Sequence, residues 1–213
     1  MGVTEISEYV IVGDVKGAGE WTRKALGEGM DALTIVNKGL IPGMDVVGEK
    51  FKNFEYYLPE MLISARVMKA AMALINPLLA GLEGVNVGKA VIGTVQGDIH
   101  DIGKNLVGMM LGGAGFEVID LGTDVAADAY LKAVEESGAQ LLCLSALLTT
   151  TMTEMGTVIK LLDDAGIKQN VKTMVGGAPV TQRFASEIGA DGFATDAGSA
   201  VDEAKTLLSI AAS

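Results

Sequence analysis

From residue 4 to about 82 the apolar residues recur at steps of three and four, with few β-branched runs and repeated glycine breaks. That spacing is the signature of helices that bury one face. The clearest stretch carries Leu58, Met61, Leu62, Ala65, Met68, Met72 and Ile75 on a single stripe. Pro59 suits its first turn, where amide hydrogens lack partners anyway, and Asn76-Pro77 is expected to end or kink it. Further helices are expected near 5–12, 15–27 and 31–53, the last broken around Ile41-Pro42-Gly43. Residues 1–85 thus read as an N-terminal four-helix bundle. After the turn Gly81-Leu82-Glu83-Gly84 the pattern changes to short apolar runs alternating with amphipathic stretches, as in a parallel α/β sheet. Strands are expected at 89–95, 116–120, 140–145, 171–175 and 191–195, with helices near 103–114, 125–137, 151–165, 180–188 and 198–211. Residues 86–213 therefore form a Rossmann-like (flavodoxin-like), doubly wound α/β domain with a five-stranded parallel sheet. Ligands of such sheets bind beyond the carboxyl ends of the strands, so the loops 96–103, 145–151 and 176–179 are expected to face one site.

Charge narrows the partners. A net charge of -11 and a pI near 4.5 argue against nucleic acid, whose phosphates call for clustered Lys and Arg. Neither side of residue 87 has a basic run. Mean hydropathy is high at +0.39, yet no stretch approaches 18 consecutive apolar residues, so the surplus is assigned to strands buried on both faces. The opening MGVTEISEYV lacks the features of a secretory signal, and Cys143 as sole cysteine excludes an intrachain disulfide. A cytoplasmic protein without a membrane partner is expected. Cys143 falls in mid-strand, where an inert apolar role is expected, and Met61, Met68 and Met72 read as core filler.

The chemistry gathers after the first of these strands, in Gly97-Asp98-Ile99-His100-Asp101-Ile102-Gly103-Lys104-Asn105, which holds the only histidine. A nucleotide P-loop fails on the spacing of Gly97 and Gly103 and on Asn105, which stands where a magnesium-binding hydroxyl is needed. A dinucleotide fingerprint fails because Val95 and Ile99 occupy the glycine positions beside Gly97. What remains is an imidazole at the mouth of the sheet with a carboxylate two residues before it. Such a pair makes a tuned metal ligand, one ring nitrogen coordinating while the other donates to Asp98. A bare zinc ion needs three or four protein ligands, which one histidine and one distant cysteine do not supply. A macrocycle with its own equatorial nitrogens needs a single axial ligand, so haem or corrin fits. Taken singly, a histidine after a strand is more often an ordinary loop residue, Gly-Gly a turn and Ser145 a strand-end hydroxyl.

Jointly they mean more. Asp98-x-His100-x-x-Gly103, then Ser145-x-Leu147, then Gly176-Gly177 resembles the signature of base-off/His-on cobalamin-binding domains, shared by methionine synthase, corrinoid methyl carriers and B12 mutases. The resemblance implies cobalamin or a related corrinoid, with His100 as the metal ligand in place of the cofactor's own benzimidazole. It implies that Asp98 and Thr151 complete a hydrogen-bonded chain with His100, threonine standing where methionine synthase has serine. Gly97, Ile99 and Asp101 would join them at the cofactor, and Gly103, Ser145, Leu147, Thr149, Gly176, Gly177 and Ala197 would line its nucleotide tail. The segments Pro42–Gly48 and Tyr57–Lys69 are similar to the helical cap of methionine synthase and of free-standing methyl carriers. By that likeness the cap covers the upper face of the corrin, with Tyr57, Ser64 and Val67 near the methyl group; the bland alternative is that Tyr57 packs in the bundle.

Mutase small subunits resemble only residues 88–213, so the cap favours methyl transfer. The implied protein carries a methyl group on cobalt from a substrate-specific methyltransferase (methanol, methylamine, betaine or O-demethylase type, with a slight preference for the last) to a second methyltransferase using tetrahydrofolate or a thiol. A corrinoid-reactivating protein would be a further partner. At 213 residues the chain has no room for the methyltransferase barrels and is expected to be non-catalytic alone. The alternatives are the small cobalamin-binding subunit of a B12-dependent mutase and a B12-binding sensor, for whose output the chain offers no basic helix-turn-helix.

Overall fold

The computed structural model describes residues 2–79 and 87–210, which form two compact units, one helical and one α/β. The expected boundary at 85/86 and the turn at 81–84 lie outside the described residues.

The helical unit contains α1 (Thr4–Val12), α2 (Val15–Gly27), α3 (Ala32–Ile35), a π-helical turn (Val36–Leu40), α4 (Ile41–Lys52) and α5 (Leu58–Leu79). Asp14 and Asp31 cap α2 and α3 by accepting from the amides of Gly17 and Thr34. Their apolar faces meet in a core of Ile6, Val10, Trp21, Ile35, Leu40, Met61 and Ile75. The expected break at Ile41-Pro42-Gly43 does not occur. The chain stays helical from Ala32 to Lys52 because the turn before the proline widens, with the Ile41 amide donating to the Val36 carbonyl. Gly39 and Gly43 let α1 approach this turn closely: a Cβ at Gly39 would lie 2.4 Å from Ile6 Cγ2. Nor does α5 end at Asn76. Pro77 lies inside it, at the cost of one backbone bond, and the helix continues to Leu79. Met61 and Met68 are buried as expected, whereas Tyr57 is exposed ahead of α5 and does not pack in the bundle.

In the α/β unit β1 (Gly88–Thr94), β2 (Phe116–Asp120), β3 (Leu141–Ser145), β4 (Lys172–Gly176) and β5 (Gly192–Ala194) form one sheet, all neighbours parallel, in the order β2-β1-β3-β4-β5. Between and after them run α6 (Ile102–Gly113), α7 (Ala127–Ser137), α8 (Thr153–Asp164), α9 (Gln182–Glu187) and α10 (Ala197–Leu207), with a short 3-10 turn at Lys168–Asn170. Aliphatic runs such as Ala-Val-Ile in β1 and Leu-Leu-Cys-Leu in β3 are buried throughout, as a sheet covered on both faces requires. Val91, Leu142, Leu144 and Val175 pack with Tyr130, Met155 and Leu162 from α7 and α8. Two ends differ from expectation with consequences. β4 includes Gly176, and α8 begins at Thr153, so that Thr151 stands in the turn before the helix. The first connection leaves β1 toward β2 and the third leaves β3 the opposite way toward β4, which opens a crevice at the carboxyl ends of β1 and β3. No described helix is long and apolar enough to cross a membrane.

Candidate cofactor site

Asp98 is the hub of that crevice. It follows Gly97, whose φ of +80° turns the chain sharply after β1, and it is 0% exposed. A buried carboxylate is tolerable only if its oxygens are satisfied. Here Oδ1 accepts from the His100 amide at 3.1 Å and faces His100 Nδ1 at 2.7 Å. Oδ2 accepts from the amides of Leu147 and Leu148 at 2.8 and 3.2 Å and from the Thr151 hydroxyl at 2.8 Å. Burial alone would raise this carboxyl. The Leu147 and His100 amides, the imidazole and the Thr151 hydroxyl outweigh it and hold the group well below the usual carboxylate range.

An ionised Asp98 places the imidazole proton on Nδ1 and leaves the Nε2 lone pair available. The His100 side chain remains 47% exposed, so the free nitrogen belongs to a ring the solvent reaches. Its backbone is pinned as well, since the buried Thr94 hydroxyl donates to the His100 carbonyl at 2.9 Å. From the β2–α7 connection Asp124, itself at φ +55°, accepts from the Gly97 amide at 2.7 Å and donates its own amide to the Asp98 carbonyl at 2.9 Å.

The structure thus brings Gly97, Asp98, His100, Leu147 and Thr151 together through hydrogen bonds. Gly176 and Gly177 join from the third loop: the Ala146 amide donates to the Gly176 carbonyl at 3.3 Å, and a Cβ at Gly177 would fall 1.9 Å from the Ala146 carbonyl oxygen. With φ at +127° only glycine fits there. Gly177→Ala is expected to destabilise the protein by about 3 kcal/mol or more, from backbone strain plus overlap. Thermal unfolding followed by circular dichroism should show a loss of roughly 10 °C. Asp101 and Ile99 are exposed beside His100, Ser145 ends β3, and Thr149 is exposed on the same loop as Leu147. Gly103 lies in the first turn of α6, with open space where a Cβ would be. Ala197 is buried at the start of α10, which follows β5. Tyr57, Ser64 and Val67 belong to the helical unit, where Ser64 and Val67 are buried and Ser64 Oγ has no hydrogen-bond partner.

The donor set suits a macrocycle. Among the described residues no group of three or more His, Cys, Asp or Glu could hold a bare ion. Around the single free imidazole nitrogen, aliphatic side chains stand in the open: Ile99 is 75% and Ile102 76% exposed, with Leu147 and Leu148 also exposed. Apolar surface of this kind next to one nitrogen able to bind a metal fits a broad, largely apolar ring that brings its own equatorial ligands.

A B12 binding domain matches residues 88–204, and a further B12 binding domain matches residues 3–76. The chain belongs to the B12-binding domain family. As a member of it the protein takes a corrinoid cofactor. It is 43% identical over 207 residues to a corrinoid protein of Desulfitobacterium hafniense, covering 96% of each chain. It is 44% identical over 186 residues to the dimethylamine corrinoid protein of Methanosarcina barkeri, covering 87% of each. Among solved structures it resembles a chain of the methanol:cobalamin methyltransferase complex of Methanosarcina barkeri, with 30% identity and a TM-score of 0.87 over 97% of this chain and 79% of that one.

Sequence reasoning missed several contributors to this cluster. Leu148 acts through its backbone amide, which any residue could supply, so the sequence carries no mark of it. Thr94 and Asp124 lie outside the motif, although a polar residue at the carboxyl end of a buried strand is a signal that singles out Thr94. Ile102 was legible only as the start of a helix.

Proposed function

We propose that the protein carries a methyl group between two methyltransferases, its corrinoid held from below through His100 Nε2. The observation that carries this reading is the orientation of His100: its Nδ1 faces the buried Asp98 carboxylate, and the opposite ring nitrogen is turned away from that tether, on a loop whose aliphatic side chains are exposed. When bound, the corrinoid supplies a cobalt that accepts a methyl group from one enzyme and yields it to another. The chain's own residues bind and orient. Asp98 holds the imidazole proton, and Thr151 with the Leu147 and Leu148 amides fixes Asp98. Ile99, Ile102, Leu147 and Leu148 form an apolar seat that keeps water from beneath the ring. Gly177 lets the loop after β4 close on the Ala146 carbonyl, and that loop, with Gly176, would border the nucleotide tail. The helical unit serves as the cap, with Tyr57, Ser64 and Val67 toward the methyl group.

Relatives named for dimethylamine and trimethylamine favour a methylated amine as donor, ahead of methanol, glycine betaine and methoxylated aromatics. The acceptor enzyme uses tetrahydrofolate or a thiol, and a reactivating protein restores cofactor lost to oxidation. Cytoplasmic residence accords with the unpaired, buried Cys143. To test the function, the corrinoid-loaded, reduced protein is incubated with candidate methyltransferases and a panel of these donors while the visible spectrum is followed. Methylation by one donor–enzyme pair is expected. Absence of methylation with every pair, together with isomerase activity when the adenosyl cofactor and a mutase large subunit are supplied, would instead establish the mutase alternative.

A further inference from the structure

Lys104 is an ammonium in a costly place. It is 3% exposed, and it sits in the first turn of α6, where the helix dipole disfavours positive charge. Burying an ion costs several kcal/mol unless its partners are well placed. Nζ donates to Asp120 Oδ1 and Oδ2 at 2.6 and 2.5 Å and to Asn105 Oδ1 at 2.7 Å. Each partner leads back to the histidine loop. Asn105 donates through Nδ2 to Asp101 Oδ2 at 3.0 Å and through its amide to the Asp101 carbonyl at 2.7 Å. Asp120, at the end of β2, accepts from the Gly122 amide at 2.8 Å, and the Gly122 carbonyl accepts from the amide of Thr94, whose hydroxyl holds the His100 carbonyl.

His100 therefore stands between two tethers that both start at Lys104. An apolar residue of similar volume in place of Lys104 would fill the same buried site without the cost of a buried charge. It could not aim Asn105 and Gly122. We infer that Lys104 is a positioning residue, which sets the height and direction of the loop that presents His100 to the corrinoid. The inference rests on the reading of His100 given above.

Three variants test it: Lys104→Met, the double variant Lys104→Met/Asp120→Leu, and Asn105→Ala, which removes the side-chain bonds to Lys104 and Asp101 and keeps the backbone bond to the Asp101 carbonyl. In the corrinoid-free protein, hydrogen exchange of the amides at 97–101 is expected to quicken in all three. In the loaded protein, Lys104→Met should lower corrinoid retention about tenfold, the scale of losses when the support of a metal ligand is removed. The cobalt(II) electron-spin spectrum, with histidine carrying the heavy nitrogen isotope, should show weakened histidine coupling. The double variant should recover the thermal midpoint of the wild type without recovering loop protection or coupling. A double variant that regains both would overturn the inference, as would Asn105→Ala with unaltered amides. Wild-type protein without histidine coupling would refute the axial-ligand reading instead, while the exchange measurements would still decide the role of Lys104.

Discussion

Replacing His100 by alanine is expected to abolish histidine coupling in the cobalt(II) spin-resonance spectrum and to cut corrinoid retention at least about tenfold. The fold should survive. The side chain is half-exposed on a loop, and Asp98 keeps the His100, Leu147 and Leu148 amides and the Thr151 hydroxyl as donors. A change in thermal midpoint of no more than a few degrees is expected for a loss of about 1 kcal/mol or less. Added imidazole should restore a nitrogen ligand to the variant, because the exposed aliphatic seat left by Ile99 and Ile102 is untouched. Equal retention and an unchanged spectrum in His100→Ala would remove the basis of the proposed carrier.

Asp98→Ala should do more, since it damages the fold and the ligand together. It orphans two amides of the β3–α8 loop, the His100 amide and the imidazole hydrogen, and leaves the Thr151 hydroxyl only the Leu148 carbonyl. Removing one partner of a buried charged network costs about 3–5 kcal/mol, measurable by urea denaturation. The cost should depend on pH in a defined direction. The folded-state pKa of Asp98 lies below its unfolded value of about 3.9, so the carboxylate's contribution is complete above that pH and disappears as pH falls toward the folded value. The gap between wild type and Asp98→Ala should accordingly be flat through neutral pH and narrow only under strongly acid conditions. A gap that narrows between pH 5 and 7 would mean that the carboxylate is not held as described.

These residues also show what a sequence transmits. Apolar runs located every strand of the sheet to within a residue or two, because parallel strands covered on both faces tolerate little else. The alternation of runs and helices indicated a doubly wound parallel sheet, and the order of its strands came from the structure. Proline misled twice. At Pro42 a widened turn absorbed the missing hydrogen bond, and at Pro77 the helix runs on past the proline to Leu79. At the site, side-chain chemistry was legible and backbone chemistry was not. Asp98, His100 and Thr151 could be marked because their functional atoms are their own, whereas two of the five donors to Asp98 are amides of leucines. The ion pair of the buried Lys104 with Asp120 was equally hidden. A lysine at the head of an amphipathic helix reads as a solvated charge, and only the fold reveals that the end of β2 lies over it.

Cys143 has a practical consequence. Burial in the middle of β3 pushes its thiol up to about 12, so at neutral pH it is a protonated, enclosed group with little nucleophilic character. A second cysteine engineered on either unit would then be the single maleimide-reactive position in an otherwise native background. Pairs of such labels would report by energy transfer how far the two units travel when a methyltransferase engages, without first removing the natural thiol from the sheet.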